Sequence, residues 1–499
     1  KQQTTNNKQQ TTNNKQQTLI LFLLMIMLGS TVYSQKSNPN ENNITPNGVL
    51  DKVFDQTGKE YALSDLLVER SGNTLINCSS TSYFNLFFEV GSGMENSSDP
   101  AHMARRAVVC KVFEDLSSFI NSPLSTNGNR VNIWVRNINN VFASPNGVLG
   151  LASAFYNLPS SSSIGGIADN EIWKTIHTGV DSYLNSTIPL TVLGGSNNQS
   201  GIFFHGMVTF NFNTTNTPAI NFNTNLTATT IPSGEFDLYS AVLHEVTHAL
   251  GFTSLINQDG NSVFGPNFRY YSRYDRFLKT NNSSQFLLTS SACSTMYDYV
   301  FNTALNSTVL HPNPTAAACN GNTLCNDAIK FVGTTTVPVF TPNCFNPISS
   351  LSHFEDTHFP TCNTTNPTFG NDNYFLMCNA GNPGMMRRYL KLEERNALCD
   401  IGYSVKTTFG SSSVRITPTA FGPFNYGGTT CNGISVAGIN DGINNAGSYT
   451  FIGNSGTNIT ISGILSNDTN ATGFECLQDL TATVANPTNL SATTGTSTT

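Results

Sequence analysis

Charged side chains are scarce in this 499-residue chain: Lys, Arg, Asp and Glu together make up 11% of it, and the formal net charge is −7. Such a sequence offers no basic face to neutralise phosphates and no polybasic run for anionic lipid, so we expect no nucleic-acid partner. Apolar runs are short as well, and none approaches the roughly 20 residues that a transmembrane span needs. No two cysteines have the Cys-x-x-Cys spacing that is typical of a structural zinc site.

The amino terminus carries a polar repeat followed by an apolar run. The repeat "KQQTTNN" leads to Lys15, after which Leu19–Leu28 reads "LILFLLMIML" and gives way to small residues up to Ser34. This order of basic, apolar and small residues is typical of a signal peptide, and the apolar run is too short to span a bilayer. We therefore predict a low-complexity leader and signal peptide over residues 1–34, a spacer or short propeptide over 35–70, and a secreted, extracellular protein.

Cysteine usage favours the same compartment, because eleven cysteines are many for a cytosolic enzyme and fit an oxidising environment. We expect disulfides whose connectivity the sequence does not give, and the odd count leaves one cysteine free or partnered elsewhere. All of them follow the apparent cleavage site, at Cys78, Cys110, Cys293, Cys319, Cys325, Cys344, Cys362, Cys378, Cys399, Cys431 and Cys476.

Hydrophobic periodicity predicts one α+β domain over residues 71–405. Apolar residues at helical spacing predict a helix over Ala104–Ile120, and a strand is expected to follow from Val131. A second helix is expected over Asp169–Leu184, with Asp169 as its N-cap. Met207–Asn213 alternates apolar and polar residues, which predicts a strand, and this strand could form the rim along which an extended peptide pairs.

Two regions around this domain have a different composition. The stretch from Gly260 to Pro347 is rich in Asn, Thr, Pro and Cys, and we expect a cysteine-tied insertion with some local structure. Residues 406–499 turn to Gly, Asn, Thr and Ser with short β-like runs, which predicts a small all-β module, either a β-sandwich or the start of a repeat array. The sequence lacks an initiator Met and stops in "SATTGTSTT", so we expect this module to be incomplete.

The motif that carries chemistry is "VLHEVTHALGFTS", from Val242 to Ser254. On a helix that Asp237 can cap, His244 and His248 project from one face a turn apart, close enough to share one zinc ion. Glu245 lies beside them and can reach a water on that metal. Zinc lowers the pKa of bound water, and a carboxylate at hydrogen-bond distance can take its proton during attack on a carbonyl.

The motif and four later stretches together resemble metzincin zinc metallopeptidases of the leishmanolysin type. Besides "HExxHxxGF", the chain has "RYDRFL" from Arg273, Ser352-His353, Leu376-Met377 and "DIGY" from Asp400. The resemblance extends over about 104–403 and implies a metzincin-like domain with a twisted sheet and an active-site helix. Where compact metzincins have their third zinc-binding histidine, this sequence has Ser254.

The resemblance implies that His353 is the third zinc ligand beside His244 and His248, and that Met377 is the methionine of a Met-turn beneath the site. The residues themselves leave alternatives open, because "SSLSHFEDTHFP" holds a second histidine, His358. Carboxylates that could replace an imidazole are Glu355, Asp356 and Glu394. Met385 and Met386 are the alternative methionines, and an oxyanion-binding tyrosine is left open among Tyr374, Tyr389 and Tyr403. His177 and His205 are expected to be surface residues rather than ligands.

Together these features predict a secreted zinc endopeptidase that acts on protein or peptide substrates, with one catalytic Zn²⁺ and Glu245 as general base. No motif identifies a structural Ca²⁺ site, so the sequence neither predicts nor excludes one. It also does not indicate an oligomeric state. The alternative is a secreted adhesin or binding protein with an inactive or structural zinc site. The retention of Glu245 argues against that alternative, since a structural site has no need of a base.

Overall fold

The computed structural model of the chain separates into two units, residues 1–42 and 43–499, and all the described residues belong to the second. The predicted signal peptide and most of the predicted carboxyl-terminal module lie outside the described residues. The structure describes residues 43–44, 50–68, 74–76, 78, 82–124, 130–142, 147–158, 165–179, 181–183, 203–212, 220–266, 268–290, 299–311, 328–347, 349–355, 375–428, 430–431, 461–462 and 497–498.

An eight-stranded mixed sheet forms the centre of the fold, in the order β1-β2-β7-β9-β6-β5-β4, with β3 paired to β2. Strands β5, β6 and β9 run parallel to one another, whereas β7 is antiparallel to β9 and β2 is antiparallel to β7. The strands are β1 (Asn43–Ile44), β2 (Leu50–Asp55), β3 (Glu60–Tyr61), β4 (Thr74–Ile76), β5 (Phe84–Phe88), β6 (Val131–Arg136), β7 (Gly150–Leu158) and β9 (Gly206–Phe210).

Four α-helices are described, and few helices on a mixed sheet agree with the α+β class expected from the sequence. They are α1 (Pro100–Phe119), α2 (Glu171–Thr178), α3 (Leu238–Ala249) and α4 (Leu392–Asp400). Helix α3 packs against strand β7 and against helix α1. The "HExxH" helix is therefore held between the sheet and the longest described helix. None of the helices in the described part of the chain is long and apolar enough to cross a membrane.

Helix α1 confirms the sequence prediction and begins four residues earlier. Asp99 is its N-cap and accepts the backbone N–H of Ala101, while Pro100 occupies the first helical position, where a missing N–H costs nothing. Its apolar stripe, which includes Val108, Val112 and Leu116, is buried in the main core. This core lies between the helices and one face of the sheet.

The predicted cap of helix α2 is wrong by one residue. Asn170 caps the helix by accepting the N–H of Trp173 at 2.7 Å, whereas the Asp169 carboxylate forms an ion pair with Arg273. The helix ends at Thr178 rather than continuing to 184, because Gly179 adopts a left-handed conformation with φ of 71°.

Residues 50–68, which the sequence predicted as part of a spacer or propeptide, belong to the central sheet. Strand β2 pairs with β7, and Val53 and Phe54 on it are buried. Leu63 and Leu66 lie in a second apolar cluster on the sheet. The alternation of apolar and polar residues in "LDKVFD" is short and includes charged residues. Composition alone therefore assigned this segment to a linker.

The stretch from 260 to 347 has local structure over its described parts, as expected. It contributes a short parallel pair with the segment after β7, a hairpin and a three-stranded antiparallel sheet. These strands are β8 (Gly165–Ile167) with β12 (Arg269–Tyr271), β14 (Leu288–Ser290) with β15 (Tyr299–Phe301), and β13 (Leu278–Thr280) with β16 (Ile329–Val332) and β17 (Thr336–Val339). A further parallel pair, β10 (Phe222–Asn223) with β11 (Phe236–Asp237), precedes helix α3.

The domain does not end at Val405, where composition placed its boundary. Phe409, Val414 and Ile416 are fully buried in the main core, and Cys431 forms a disulfide with Cys399 of helix α4. The strands of this segment are β18 (Thr408–Phe409) with β21 (Phe424–Asn425), and β19 (Arg415–Thr417) with β20 (Ala420–Phe421). Only one further strand pair is described after 431, β22 (Ile461–Ser462) with β23 (Ser497–Thr498), so the predicted β-sandwich lies outside the described residues.

Truncation of the chain tests the revised boundary. Burying a Phe, Val or Ile side chain contributes roughly 1.5–3 kcal/mol each, so a chain that ends at Val405 loses about 4.5–9 kcal/mol from three core side chains. This is most of the stability of a typical domain. We expect the chain ending at Val405 to unfold at least about 10 °C lower than one ending just after Cys431. Equal melting temperatures by circular dichroism would place the boundary back at Val405.

Candidate metal centre

The start of helix α3 is fixed by a buried ion pair. Asp237 caps the helix by accepting the N–H of Ser240, as the sequence predicted. Its carboxylate also pairs with the guanidinium of Arg388, at 2.6 Å, and both side chains are buried. Arg388 donates further to the backbone carbonyls of Asn225 and Leu226. The chain that follows the Met-turn candidate is thereby tied to the beginning of the "HExxH" helix.

The end of the helix is formed by a glycine turn. Gly251 has a φ of 105°, a conformation that a residue with a Cβ resists. The N–H of Gly251 bonds to the carbonyl of His248 and that of Phe252 to the carbonyl of Thr247, which is the pattern of a Schellman motif. The turn brings the carbonyl of Phe252 back against the ring of His248.

Three imidazoles converge at the middle of this helix. The Nε2 atom of His248 lies 3.2 Å from Nε2 of His244 and 3.1 Å from Nε2 of His353. The ligand atoms of all three lie within 4.8 Å of one another, and together they could hold a metal ion. They form the only such group of three or more metal-ligating side chains within the described ranges. His353 reaches the helix from 105 residues further along the chain.

Each of these rings is oriented by a backbone carbonyl on its other nitrogen. Nδ1 of His244 is 2.7 Å from the carbonyl oxygen of Leu376, Nδ1 of His248 is 2.7 Å from that of Phe252, and Nδ1 of His353 is 2.8 Å from that of Ser349. A carbonyl oxygen only accepts, so the proton of each neutral ring belongs on Nδ1. The three Nε2 lone pairs then face one another with no proton between them.

This arrangement suits a cation. Ligand nitrogens at about 2.0–2.1 Å from a tetrahedral zinc ion are about 3.3 Å apart. The two separations from Nε2 of His248, 3.2 Å to His244 and 3.1 Å to His353, are close to this value. Burial lowers the pKa of His244 and His248, and burial together with the neighbouring His244 lowers the pKa of His353 to about 3. All three rings are therefore neutral at ordinary pH, which is the form that binds a metal.

Glu245 lies next to the histidines and lines the same cavity. Its carboxylate accepts the backbone N–H of Ala152 on strand β7, and burial raises its pKa to about 8. A cation held by the three imidazoles would lower this pKa, because a nearby positive charge favours the carboxylate. Glu245 can thus take or return a proton near neutral pH.

The cavity in front of the histidines has a volume of about 420 Å³. Helix α3, the loop of His353 and the segment 375–387 form three of its sides, and residues 147–151 at the start of strand β7 form the fourth. Arg387 is the one Lys or Arg among the lining residues. The cavity is therefore almost free of positive charge apart from any bound metal.

The cleft is lined by strand β7 and not by the strand that the sequence predicted as its rim. Strand β9, which overlaps the predicted strand Met207–Asn213, pairs with β6 on one side and with β7 on the other, so it has no free edge. The backbone groups of Leu149 and Phe155 face β9. Because successive residues of a strand face opposite edges, Gly150 and Ala152 direct their N–H and C=O groups to the other edge, toward the cavity.

That edge of β7 is partly covered. Strand β2 pairs with its second half, from Phe155 to Leu158. Ala152 is occupied on both groups, since its N–H bonds to Glu245 and its C=O accepts the side-chain amide of Gln56 at 2.6 Å. Among the described residues no strand pairs with Gly150 on this side. One stretch of open sheet edge thus lies directly beside the histidine cluster.

The two carboxylates named as alternative ligands on described residues lie elsewhere. Both oxygens of Glu394 bind backbone N–H groups, those of Met377 and Lys391, so Glu394 supports the chain beneath His244. Glu355 is not part of the group whose ligand atoms meet. His358 and Asp356 lie outside the described residues.

The methionine and tyrosine alternatives are separated by their positions. Met377 is fully buried and follows Leu376, whose carbonyl holds His244, whereas Met385 lines the cavity and Met386 packs in a separate small cluster. Neither Tyr389 nor Tyr403 lines the cavity. Tyr389 stacks on Phe424, Tyr403 packs beside His177, and Tyr374 lies outside the described residues.

Two other histidines have structural roles that differ from the surface positions expected. His205 is fully buried, with Nδ1 accepting the N–H of Asn132 at 2.9 Å and Nε2 3.1 Å from Asp181. His177 is half-buried and lies between the carbonyls of Trp173 and Gly402. Neither belongs to the metal cluster.

Sequence reasoning missed the residues that act through their backbone. Leu376, Phe252 and Ser349 orient the rings with carbonyl groups, and Ala152 contacts Glu245 with its N–H. A backbone contact leaves no mark on side-chain type, so only the Gly251 turn, which brings Phe252 into place, had a readable signal. Comparisons of the chain with protein-family models, curated proteins and solved structures gave no match.

Substitution of each histidine in "SSLSHFEDTHFP" tests the ligand set. We expect His353→Ala to bind zinc at least about 100-fold more weakly than the wild type, because even changes beyond the direct ligands cost about 10- to 100-fold. His358→Ala should retain near-stoichiometric zinc, measured by elemental analysis after dialysis. Loss of zinc in His358→Ala with retention in His353→Ala would transfer the ligand to His358.

Proposed function

We propose that the protein is a zinc-dependent endopeptidase with His244, His248 and His353 as zinc ligands and Glu245 as general base. The observation that carries this proposal is the convergence of three carbonyl-oriented imidazoles beside a carboxylate, at the wall of a cavity. The resemblance of the "HExxH" and later motifs to leishmanolysin-type metzincins supports the same assignment.

Zinc is the metal that this donor set favours. Three neutral imidazoles with a fourth position open to a cavity are typical of catalytic zinc, whereas structural zinc sites are closed by four protein ligands, often thiolates. Hard cations such as Mg²⁺ and Ca²⁺ prefer carboxylate and carbonyl oxygens. The carbonyls near these rings accept from Nδ1 and are therefore directed at the imidazoles.

Zinc bound here would lower the pKa of a coordinated water and polarise a substrate carbonyl. Glu245 would take the proton of that water and return it to the leaving amine, a role for which a pKa near neutrality is suited. The backbone N–H of Ala152 would favour the charged form of this carboxylate. The Nδ1–H groups of the three histidines would donate to backbone carbonyls throughout, which fixes the orientation of the rings.

An extended peptide is the substrate class that suits the cleft. No strand of the described part of the chain pairs with the N–H and C=O of Gly150 on the cavity side, so a peptide could add one more strand there. Main-chain pairing of this kind binds peptides with little dependence on side-chain sequence. Strand β2 and the Gln56 amide already occupy the neighbouring part of that edge. The peptide would therefore extend from Gly150 away from β2, with its backbone passing the metal.

The alternative is a binding protein in which the zinc is structural. A site of that kind needs neither the cavity in front of the imidazoles nor a carboxylate anchored beside them. Secretion is a separate part of the proposal. It is supported by the signal-peptide pattern, and the disulfides Cys78–Cys110 and Cys399–Cys431 are compatible with an oxidising compartment.

The isosteric substitution Glu245→Gln separates the two functions. We expect the wild type to cleave casein in the presence of zinc and to stop when the zinc is chelated. Glu245→Gln should bind one equivalent of zinc and lose at least about 100-fold in kcat, because general-base catalysis contributes roughly 10²–10⁴-fold.

The control for general damage is Glu235→Gln, on a half-buried carboxylate before the helix that accepts the side-chain amide of Asn223 and does not line the cavity. It should keep wild-type activity. A zinc-loaded wild type that cleaves neither casein nor unfolded protein substrates would favour the binding-protein alternative, and an active Glu245→Gln would exclude Glu245 as the base.

A further inference from the structure

The side chain of Ser254 turns away from the histidines and toward a buried carboxylate. Its hydroxyl donates to Oδ1 of Asp275 at 2.6 Å, and both residues are buried. Oδ2 of Asp275 accepts two backbone N–H groups, from Leu255 at 3.0 Å and from Ser272 at 2.8 Å. Asp275 therefore fixes the course of the chain immediately after the helix that carries His244 and His248.

The same turn holds the loop that brings His353 to the site. The backbone N–H of Ser254 donates to the hydroxyl of Ser352 at 3.0 Å, and the hydroxyl of Thr253 lies 3.4 Å from it. Ser352 is buried and directly precedes His353. A hydrogen-bonded path thus leads from Asp275 through Ser254 and Ser352 to His353, whose Nε2 atom lies 3.1 Å from that of His248.

The path is separate from the groups that bind the ring of His353 directly. The Nδ1 atom of His353 bonds to the carbonyl of Ser349, and its backbone carbonyl accepts the N–H of Phe340. Those contacts orient the ring within its own loop. The contacts that tie this loop to the turn after helix α3 are those of the Ser352 hydroxyl with the Ser254 N–H and the Thr253 hydroxyl.

We propose that Asp275 and Ser352 are positioning residues for the metal site: they set the distance between the loop of His353 and the helix of the other two ligands. The carboxylate holds the turn of residues 253–255, and the turn holds the loop through the Ser352 hydroxyl. Loss of the Asp275 carboxylate or of the Ser352 hydroxyl removes none of the three histidines, but it lets the His353 ring move relative to His244 and His248. This inference rests on the proposed metal binding and not on peptide hydrolysis.

The test measures metal affinity in variants that keep all three histidines. Asp275→Ala and Ser352→Ala are titrated with Zn²⁺ against a chromophoric chelator, and with Co²⁺, whose visible spectrum reports coordination geometry. We expect zinc affinity to fall about 10-fold or more, as it does for residues that support metal ligands, and the Co²⁺ bands to weaken or shift. Asp275→Asn should bind zinc nearly as tightly as the wild type. Its side-chain oxygen can still accept the two backbone N–H groups, and its amide can donate to the Ser254 hydroxyl.

A matched control separates positioning from loss of stability. Asp55 is likewise a buried carboxylate with several donors, from Thr57, Lys59 and Tyr61, but it lies in the turn between β2 and β3. Asp55→Ala should lower the melting temperature and leave zinc affinity and the Co²⁺ spectrum unchanged.

Two outcomes would overturn the inference. One is zinc affinity in a folded Ser352→Ala equal to that of the wild type, which remains a test even if Asp275→Ala does not fold. The other is an equal loss of affinity in Asp55→Ala, which would make the effect one of general stability. A wild type that binds no zinc would instead refute the proposed metal site itself.

Discussion

The structure depends on one constraint: the Nε2 atoms of three imidazoles, each with a lone pair, are held together inside the protein, with that of His248 3.2 Å from that of His244 and 3.1 Å from that of His353. Lone pairs at that distance repel one another, so the rings stay there only because each is bound on its far side. Three backbone carbonyls supply those bonds, and they come from three segments that are remote in sequence: Leu376, Phe252 and Ser349. Much of the fold around the site serves to present these carbonyls.

Each carbonyl has its own support. Phe252 is placed by the Schellman turn that Gly251 permits, so a glycine conformation determines a ring orientation. Leu376 is held because the next residue, Met377, donates its N–H to the buried Glu394. Burial raises the pKa of Glu394 to about 7, while the N–H donors from Met377 and Lys391 favour its charged form. A carboxylate that the sequence suggested as a ligand thus acts on the metal site through one peptide bond.

The sequence predicted those parts of the site that depend on spacing within one element. His244, Glu245 and His248 lie on one helix with Asp237 as its cap, and a period of 3.6 residues is enough to group them. His353 followed only from a resemblance of motifs, because nothing local in a polar loop indicates what it will meet. Contacts over 105 residues depend on the whole course of the chain.

The misassigned parts of the fold share a physical cause. Strand β9 alternates in the way that a rim strand does, but alternation describes the faces of a strand and not its edges, so it did not reveal that both edges are paired. The real cleft strand, β7, is buried along most of its length and reads as an apolar run. Strand β2 and the segment up to Cys431 are short and polar, and their place in the core comes from partners elsewhere in the chain.

The scarcity of charge in the sequence has a counterpart at the site. Of the Asp, Glu, Lys and Arg side chains that line the cavity, Asp237 is neutralised by Arg388, which leaves Glu245 and Arg387. The ring partners are neutral carbonyls, and the loop of His353 is held by hydroxyls and one backbone N–H. In surroundings of this kind the field of a bound cation meets little competing charge, and electrostatic effects are stronger than in water. The group that such a cation affects most is the carboxylate of Glu245, which is next in sequence to His244. The proposed chemistry requires this carboxylate to respond to the cation.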